Sequence, residues 1–230
     1  MFAPIFVQLC ISGFCMGSAQ AQVMVNALAA PDARSQTKFL VVPAVAGVQP
    51  SDLQFQEYAN DVGRALVAQG FEKAESPADV TMVVMLNWVI SEPQRHVVSG
   101  TTTTMQQQRV VDGVSAPMAP GLPASVNSHT EFAPVQTPTT QTVTTYVRAI
   151  GLKVYDQTAY NATKQAKELW EATIVSEGSG SDMRAAFPVM IAAAQPYLGV
   201  NTTKPALVAL AVEDAKVKFI RGEAAAPSRK

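Results

Sequence analysis

The stretch Val80-Thr-Met-Val-Val-Met-Leu-Asn-Trp-Val-Ile90 decides the fold predicted for this chain. Every even-numbered residue in it is apolar, and most of the odd-numbered residues are apolar as well. Alternation at period two is typical of a strand, and apolar side chains on both faces are typical of a strand that is covered on both sides. The stretch therefore predicts a central strand of a sheet.

A shorter strand and a long helix are predicted before it. Phe39 to Val42 is a β-rich run that ends at Pro43. Ser51 and Gln54 have the spacing of a capping box, and apolar residues then recur at helical spacing as far as Gly70. This pattern predicts a helix over 52–69.

Two strands and a second helix are predicted after residue 145. The runs 146–155 and 169–176 are close in sequence and should pair as a hairpin across a polar connection, with Trp170, Ala172 and Ile174 facing inward. Ser181 is expected to cap the second helix, and Pro188 to kink it. Beyond residue 204, the apolar runs fit a strand and a short helix equally well.

The segment 99–145 differs from the rest of the chain in composition. It holds 11 threonines and 5 of the chain's 15 prolines, but only three formally charged residues. Two interpretations stay open: a disordered insertion, or an arm whose strand-like ends pair with each other and bind a partner. The prolines at 117, 120 and 123 exclude a regular strand at its tip.

The order of these elements predicts an α+β fold: an antiparallel sheet with two main helices packed on one face, plus a long Thr/Pro-rich excursion between two central strands. We expect a signal peptide at 1–21, a polar N-terminal linker at 22–37, a single α+β domain at 38–200 with the flexible or arm-like insertion 99–145, and a C-terminal tail at 201–230.

The N-terminal segment predicts export. Residues 1–21 carry no charge, begin with a mostly apolar run and end in Ala19-Gln-Ala21, so we expect cleavage between Ala21 and Gln22. The run is too short for a membrane span, and no transmembrane helix is expected in the mature chain. Cys10 and Cys15 both lie in this segment without the preceding small residue of a lipoprotein leader, which disfavours a lipid anchor.

Composition excludes several classes of protein. With 17 basic and 18 acidic residues, the chain lacks the basic surplus of a nucleic-acid-binding protein. With 48% apolar and 15% charged residues, it is not a wholly disordered chain. A mature chain without cysteine has no disulfide framework.

Five motifs, taken in order, resemble a known family. They are Ala65-Leu-Val-Ala-Gln-Gly-Phe71, Ser76-Pro-Ala-Asp-Val-Thr-Met-Val-Val84, Ile150-Gly-Leu-Lys-Val-Tyr-Asp156, Glu168-Leu-Trp-Glu-Ala-Thr173 and Asp182-Met-Arg-Ala-Ala-Phe-Pro-Val-Met-Ile-Ala-Ala193. Their order and spacing resemble the bacterial domain-of-unknown-function family 4136, whose members are secreted or lipid-anchored envelope proteins of Gram-negative bacteria. The resemblance covers about 38–95 and 144–198. It implies a periplasmic location, with association to the outer membrane left open, and it implies no catalytic residue.

The residues suited to chemistry do not form a recognisable constellation. His96 and His129 are the only histidines and carry no metal-binding spacing, so neither a metal nor another cofactor is expected. Ser179 lacks the glycine spacing of a nucleophile elbow. The glycines beside it could cradle an anion, but no lysine follows and Asp182 would repel the ligand.

Other candidate residues have ordinary explanations. Glu168 and Glu171 should lie on opposite sides of a regular strand, which excludes a carboxylate pair. Trp88 and Trp170 are expected in the core, as are Met82 and Met85. The glycosylation patterns at Asn161 and Asn201 are expected to be chance matches in a bacterial chain.

The leading hypothesis is therefore a non-enzymatic envelope module that binds an envelope protein or another envelope component through a sheet edge or its Thr/Pro-rich arm. A second hypothesis is a periplasmic binding module for a small apolar ligand, lipid or glycan, with a pocket lined by residues such as Trp88, Met85 and Phe187. A hydrolase is the third.

Overall fold

The structure, a computed structural model, describes residues 20–115 and 125–224. It divides into a larger unit, Met1–Glu92 with Tyr146–Lys230, and a smaller unit, Pro93–Thr145. The predicted signal peptide, apart from Gln20 and Ala21, lies outside the described residues, as does the proline-rich tip at 116–124.

The larger unit contains most of the regular structure. Its strands are β1 (Gln20–Ala29), β2 (Lys38–Pro43), β3 (Glu72–Lys73), β4 (Met82–Ile90), the second part of β6 (Ser125–Asp156), β7 (Glu168–Gly178) and β8 (Ala206–Ala211). Its helices are α1 (Leu53–Ala68), α2 (Gln157–Thr163), α3 (Met183–Ala194) and α4 (Ala215–Arg221). β5 (Gln94–Ser115) belongs to the smaller unit.

The sheet is mixed, and the predicted antiparallel sheet with two main helices on one face is wrong. The strand order is β3-β2-β4-β6-β7-β1-β8. β2 runs parallel to both β3 and β4, while the remaining pairs are antiparallel. The physical reason is α1, which carries the chain from the end of β2 back to the end of the sheet where β2 began, so that β4 enters in the same direction. The described residues also hold four helices, of which α1, α3 and α4 contact one another.

The core lies between one side of this sheet and the three packed helices. The inward residues predicted for β7, Trp170, Ala172 and Ile174, are at most 2% exposed. Tyr58 on α1 stacks on Phe187 of α3, with ring centroids 3.9 Å apart. Tyr58 also meets Trp88 edge-to-face at 5.2 Å. These aromatic contacts join both main helices to β4.

The other side of the sheet is open in part, which corrects the expectation that β4 is covered on both sides. Large apolar side chains on this side are exposed: Leu28 by 49%, Leu40 by 41%, Val89 by 57% and Leu207 by 69%. Met85 projects to this side and is only partly buried, so the expectation that Met82 and Met85 both fill the core holds for Met82 alone.

The first and last described segments of the larger unit belong to the sheet and core. Where a polar linker was expected at 22–37, β1 pairs with β7 on one side and β8 on the other, and Val23, Val25 and Ala27 are buried. Where a tail was expected at 201–230, β8 joins the sheet and α4 buries Val217 and Ile220 completely.

The predicted helices are present, but their predicted caps are wrong. α1 begins after Asp52, which makes no capping side-chain bond, and Gln54 donates to the Tyr58 hydroxyl instead of reaching back to Ser51. α3 is capped by Asp182, whose carboxylate accepts from the backbone N–H groups of Arg184 and Ala185. A carboxylate caps a helix as well as a hydroxyl does, so the sequence alone does not decide between Ser181 and Asp182 as the cap. Pro188 lies within α3.

The smaller unit is a long two-stranded antiparallel ladder. β5 pairs with β6 from Gln94↔Thr145 to Ser115↔Ser125, with one register shift between Val111 and Gly113. Of the two interpretations of 99–145, the described residues therefore show the paired strands expected of an arm, while the binding of a partner stays a prediction.

Candidate functional site

The free edge of β5 is the longest unpaired strand edge in the described part of the chain. β5 spans 22 residues and pairs with β6 alone there. Its sequence contains no proline, and between Arg95 and Arg109 it carries no formal charge. Unprotected edges of this kind present a continuous row of backbone donors and acceptors to another strand.

β6 presents a different edge to solvent over the smaller unit. Pro134 and Pro138 stand in the ladder opposite Met105 and Thr101. Because proline has no N–H, an incoming strand would meet two missing donors along β6. The two edges of the hairpin are thus unequal, and β5 has the complete one.

A groove on the larger unit is a second candidate site. It has a volume of about 550 Å³ and lies beside α1, β2 and α4. Its walls are mostly apolar and include Phe39, Phe55, Val67 and Phe219, with Lys73 among its few charged residues. The volume falls within the range of small-molecule sites.

Charged side chains cluster where α1, α3 and α4 meet. Arg64 donates to the Asp61 carboxylate at 2.6 Å and to the backbone carbonyl of Ile220. Glu57 pairs with Arg184 at 2.8 Å on the exposed surface beside them. Burial raises the pKa of Asp61 to about 6, although the charge of Arg64 and its hydrogen bond act in the opposite direction. The cluster joins helices, and each of these charges already has a partner.

The histidines do not converge on a site. His129 of β6 lies 2.8 Å from Asp112 of β5, an exposed pair within the hairpin, and His96 stands opposite Val143. Both histidines lie in strands. Among the described residues, no group of three His, Cys, Asp or Glu side chains could hold a metal ion.

The loop Gly178–Gly180 has a neighbour that the sequence did not suggest. Ser179 is exposed, and nothing in the described part of the chain activates it. The guanidinium of Arg148, from β6, lies over this loop: a Cβ built on Gly178 would come 2.6 Å from its Nη2 atom. The cation that the residues after the glycines do not provide is thus supplied by the sheet, from a residue 30 positions earlier in the chain.

Glu168 and Glu171 lie on the same side of the sheet, contrary to prediction. The register shifts at this point, so that Tyr155 stands opposite Glu168 and Lys153 opposite Glu171. One extra residue in β7 changes the alternation, and Leu169 and Trp170 are buried in succession. Lys153 pairs with Glu171 at 3.4 Å, and its pKa is raised by both carboxylates. The three side chains form a surface ion cluster.

The pocket expected from Trp88, Met85 and Phe187 is not formed. Phe187 is fully buried in the aromatic stack, and Trp88 contacts the same stack. Met85 projects to the opposite side of β4 because odd and even positions alternate across a sheet. Asn161 is exposed on α2, and Asn201 is exposed before β8.

Comparison with known proteins yields little. Neither a family model nor a curated protein matches the sequence. The chain is similar to the crystal structure of a PDZ domain protein from Parabacteroides distasonis, with a TM-score of 0.39 and 10% identity, over 83% of this chain and 39% of that chain. The chain thus spans less than half the length of that protein. In the described part of the chain, no helix has the length and apolar character needed to cross a membrane.

Proposed function

We propose that this protein is a non-catalytic interaction module of the bacterial envelope, and that it binds an envelope protein by adding a strand of that partner to the free edge of β5. The observation that supports this function is the edge of β5, which has no proline and no formal charge between Arg95 and Arg109, whereas prolines interrupt the edge of β6. Strand addition takes its affinity from backbone hydrogen bonds and its specificity from alternate side chains.

The two prolines also indicate which backbone groups of β5 face outward. Pro134 and Pro138 have no N–H to donate to β5. They therefore fit the non-hydrogen-bonded positions of the ladder, where the two paired residues direct their N–H and C=O groups away from each other. Their partners Met105 and Thr101, and Thr103 between them, then direct N–H and C=O outward. These residues offer the donors and acceptors that an added strand requires.

Substitution at these positions tests the proposal. Thr101→Pro with Thr103→Pro removes two outward donors without removing a ladder hydrogen bond, whereas Thr101→Val with Thr103→Val keeps both. Each full-length variant is cross-linked in envelope extract, and the partner captured by the wild type is then purified and titrated. We expect the valine variant to bind as the wild type does and the proline variant to lose at least tenfold in affinity. Equal binding by all three would exclude the edge of β5.

Amide hydrogen exchange gives a second readout on the same complex. On strand addition, the amides of Thr101, Thr103 and Met105 should become protected, while those of the residues between them should change little because the ladder already protects them. Uniform protection along β5, or none, would contradict strand addition.

Export belongs to this proposal and is supported by the sequence of 1–21 and by the resemblance to envelope proteins. The predicted cleavage point lies inside β1, since Gln20 and Ala21 pair with Ala211 and Leu210. The intact mass of the chain recovered from the periplasm should lack residues 1–21. A full-length mass would contradict export by a cleaved leader.

The apolar groove favours a second candidate function, the binding of a small apolar ligand or lipid. Native mass spectrometry of the freshly purified protein should then show a reproducible added mass. Ala59→Leu narrows the groove and should remove that mass, whereas Ala78→Leu, at an exposed position outside the groove, should not. An added mass that persists in the Ala59→Leu variant would exclude the groove as its site.

A further inference from the structure

One guanidinium in the larger unit is partly buried and has no hydrogen-bond or ion-pair partner among the residues that the structure describes. Arg148 lies on β6 in register with Ile90 and with Ser176, which is 4% exposed, so its side chain shares the covered side of the sheet. Its Nε atom is buried and makes no hydrogen bond. Within residues 20–115 and 125–224, the guanidinium forms no ion pair with a carboxylate.

This arrangement is costly for an isolated protein. Buried charges are normally paired, because removal from water disfavours the charged form unless hydrogen bonds replace the lost hydration. Burial accordingly lowers the pKa of Arg148, and no acid among the described residues opposes that effect. A guanidinium offers five N–H donors in a planar fork, and in the described part of the chain no protein acceptor takes a hydrogen bond from them.

Glycines shape the space around this fork. A Cβ on Gly178 would lie 2.6 Å from Nη2 of Arg148, and a Cβ on Gly180 would lie 3.9 Å from Nη1. A contact of 2.6 Å is too short for carbon and nitrogen, so a side chain at position 178 would displace the guanidinium. The absence of a side chain at Gly178 therefore allows the guanidinium to lie directly over the loop.

We propose that Arg148 and the Gly178–Gly180 loop bind an oxyanion, a carboxylate or a phosphate group, through the guanidinium fork. Planar bidentate recognition of such groups is the chemistry for which arginine is suited. Asp182 does not fill this role, because its carboxylate accepts from the N–H groups of Arg184 and Ala185 in its own helix. This proposal does not rest on the binding of a strand to the edge of β5.

Titration of the full chain with two probes, inorganic phosphate and acetate, tests the site and distinguishes the two groups. Both titrations are carried out by calorimetry at constant ionic strength in chloride. Arg148→Met removes the fork, and Arg148→Lys keeps a charge but loses the bidentate geometry. Arg184→Met is the matched control, since it removes a nearby arginine that is already paired with Glu57.

We expect the wild type to bind at least one probe saturably. The affinity should fall at least tenfold in Arg148→Met and at least threefold in Arg148→Lys and in Gly178→Ala. It should be unchanged in Arg184→Met. In chloride alone, the Tm of the Arg148→Met variant should equal or exceed that of the wild type, because a partly buried guanidinium without an ion pair is removed. The Tm of the wild type should rise with probe concentration while that of the variant stays constant. Absence of saturable binding, or equal loss in the Arg184→Met control, would overturn the proposal.

Discussion

The guanidinium of Arg64 lies 2.6 Å from the carboxylate of Asp61, three residues earlier on α1. Asp61 is only 3% exposed, and the same guanidinium donates to the carbonyl of Ile220 at the end of α4. Arg64 thus connects α1 to α4 and is paired with a buried acid of its own helix. Because burial raises the pKa of that acid to about 6, the ion pair between Arg64 and Asp61 depends on pH.

Asp61 should make the protein less stable at neutral pH than in mild acid. A carboxyl whose pKa is higher in the folded state than its usual value of 3.8 binds its proton more tightly when folded. The resulting stabilisation is complete below the unfolded-state pKa and is lost as the pH rises through about 6. Between about pH 7.5 and about pH 4.5, this single group should add about 2 kcal/mol to the free energy of unfolding.

Urea unfolding of the Asp61→Asn variant at several pH values isolates this contribution. The variant keeps an acceptor for Arg64 but cannot ionise at this position. Its free energy of unfolding relative to that of the wild type should therefore be higher at neutral pH than in acid. Glu75→Gln, at an exposed position, is the control and should follow the wild type. If the stability of the Asp61→Asn variant kept the pH dependence of the wild type, that dependence would have to come from another group.

Phe187→Ala should cost about 3–5 kcal/mol in the free energy of unfolding. The ring is fully buried and stacks on Tyr58 at 3.9 Å, so its removal leaves a cavity between α1, α3 and β4. Phe132→Ala, at a position 63% exposed on the hairpin, should change stability by less than about 0.5 kcal/mol. A small loss in the Phe187→Ala variant would mean that the helices close the space.

Ile220→Ala should cost about 2–4 kcal/mol, although Ile220 lies in a segment expected to be a tail. The side chain is 0% exposed and belongs to the helix that packs on α1 and α3. Leu207→Ala, in the neighbouring strand but 69% exposed, should cost less than about 0.5 kcal/mol. Comparable losses in the two variants, measured by urea unfolding, would contradict the packing of α4.

Patterns confined to one element were predictable from the sequence. The alternation in β4, the helical spacing of α1 and the inward face of β7 all depend on neighbours within one segment, and the structure confirms each of them. The parallel pair β2 and β4 was predictable too, because a strand, a helix and a strand in succession usually form a crossover. The prediction was wrong in treating this order as part of an antiparallel sheet.

Features that depend on distant segments were not predictable in this way. β1 alternates apolar residues at Val23, Val25 and Ala27, but its place between β7 and β8 follows from pairing across most of the chain. The bulge that brings Glu168 and Glu171 to one side has no local signal. The glycines at 178 and 180 were a local sign of the candidate anion site, but the cation beside them comes from Arg148, which precedes the inward apolar residues Ile150, Leu152 and Val154 of β6.

Gly199→Ala should destabilise the protein more than Gly47→Ala does. Both glycines have positive φ values, +68° and +81°, at which a Cβ costs about 1 kcal/mol or more. At Gly47 nothing lies within 4 Å of the added carbon, whereas at Gly199 it would come 3.1 Å from the buried ring of Phe71. We expect Gly47→Ala to lower the free energy of unfolding by about 1 kcal/mol, from backbone strain alone. We expect Gly199→Ala to lower it by about 2–4 kcal/mol, from backbone strain together with overpacking. If urea unfolding gave equal losses, the Phe71 ring would have to move at no cost, although it packs at 6.3 Å from the buried Trp170 ring.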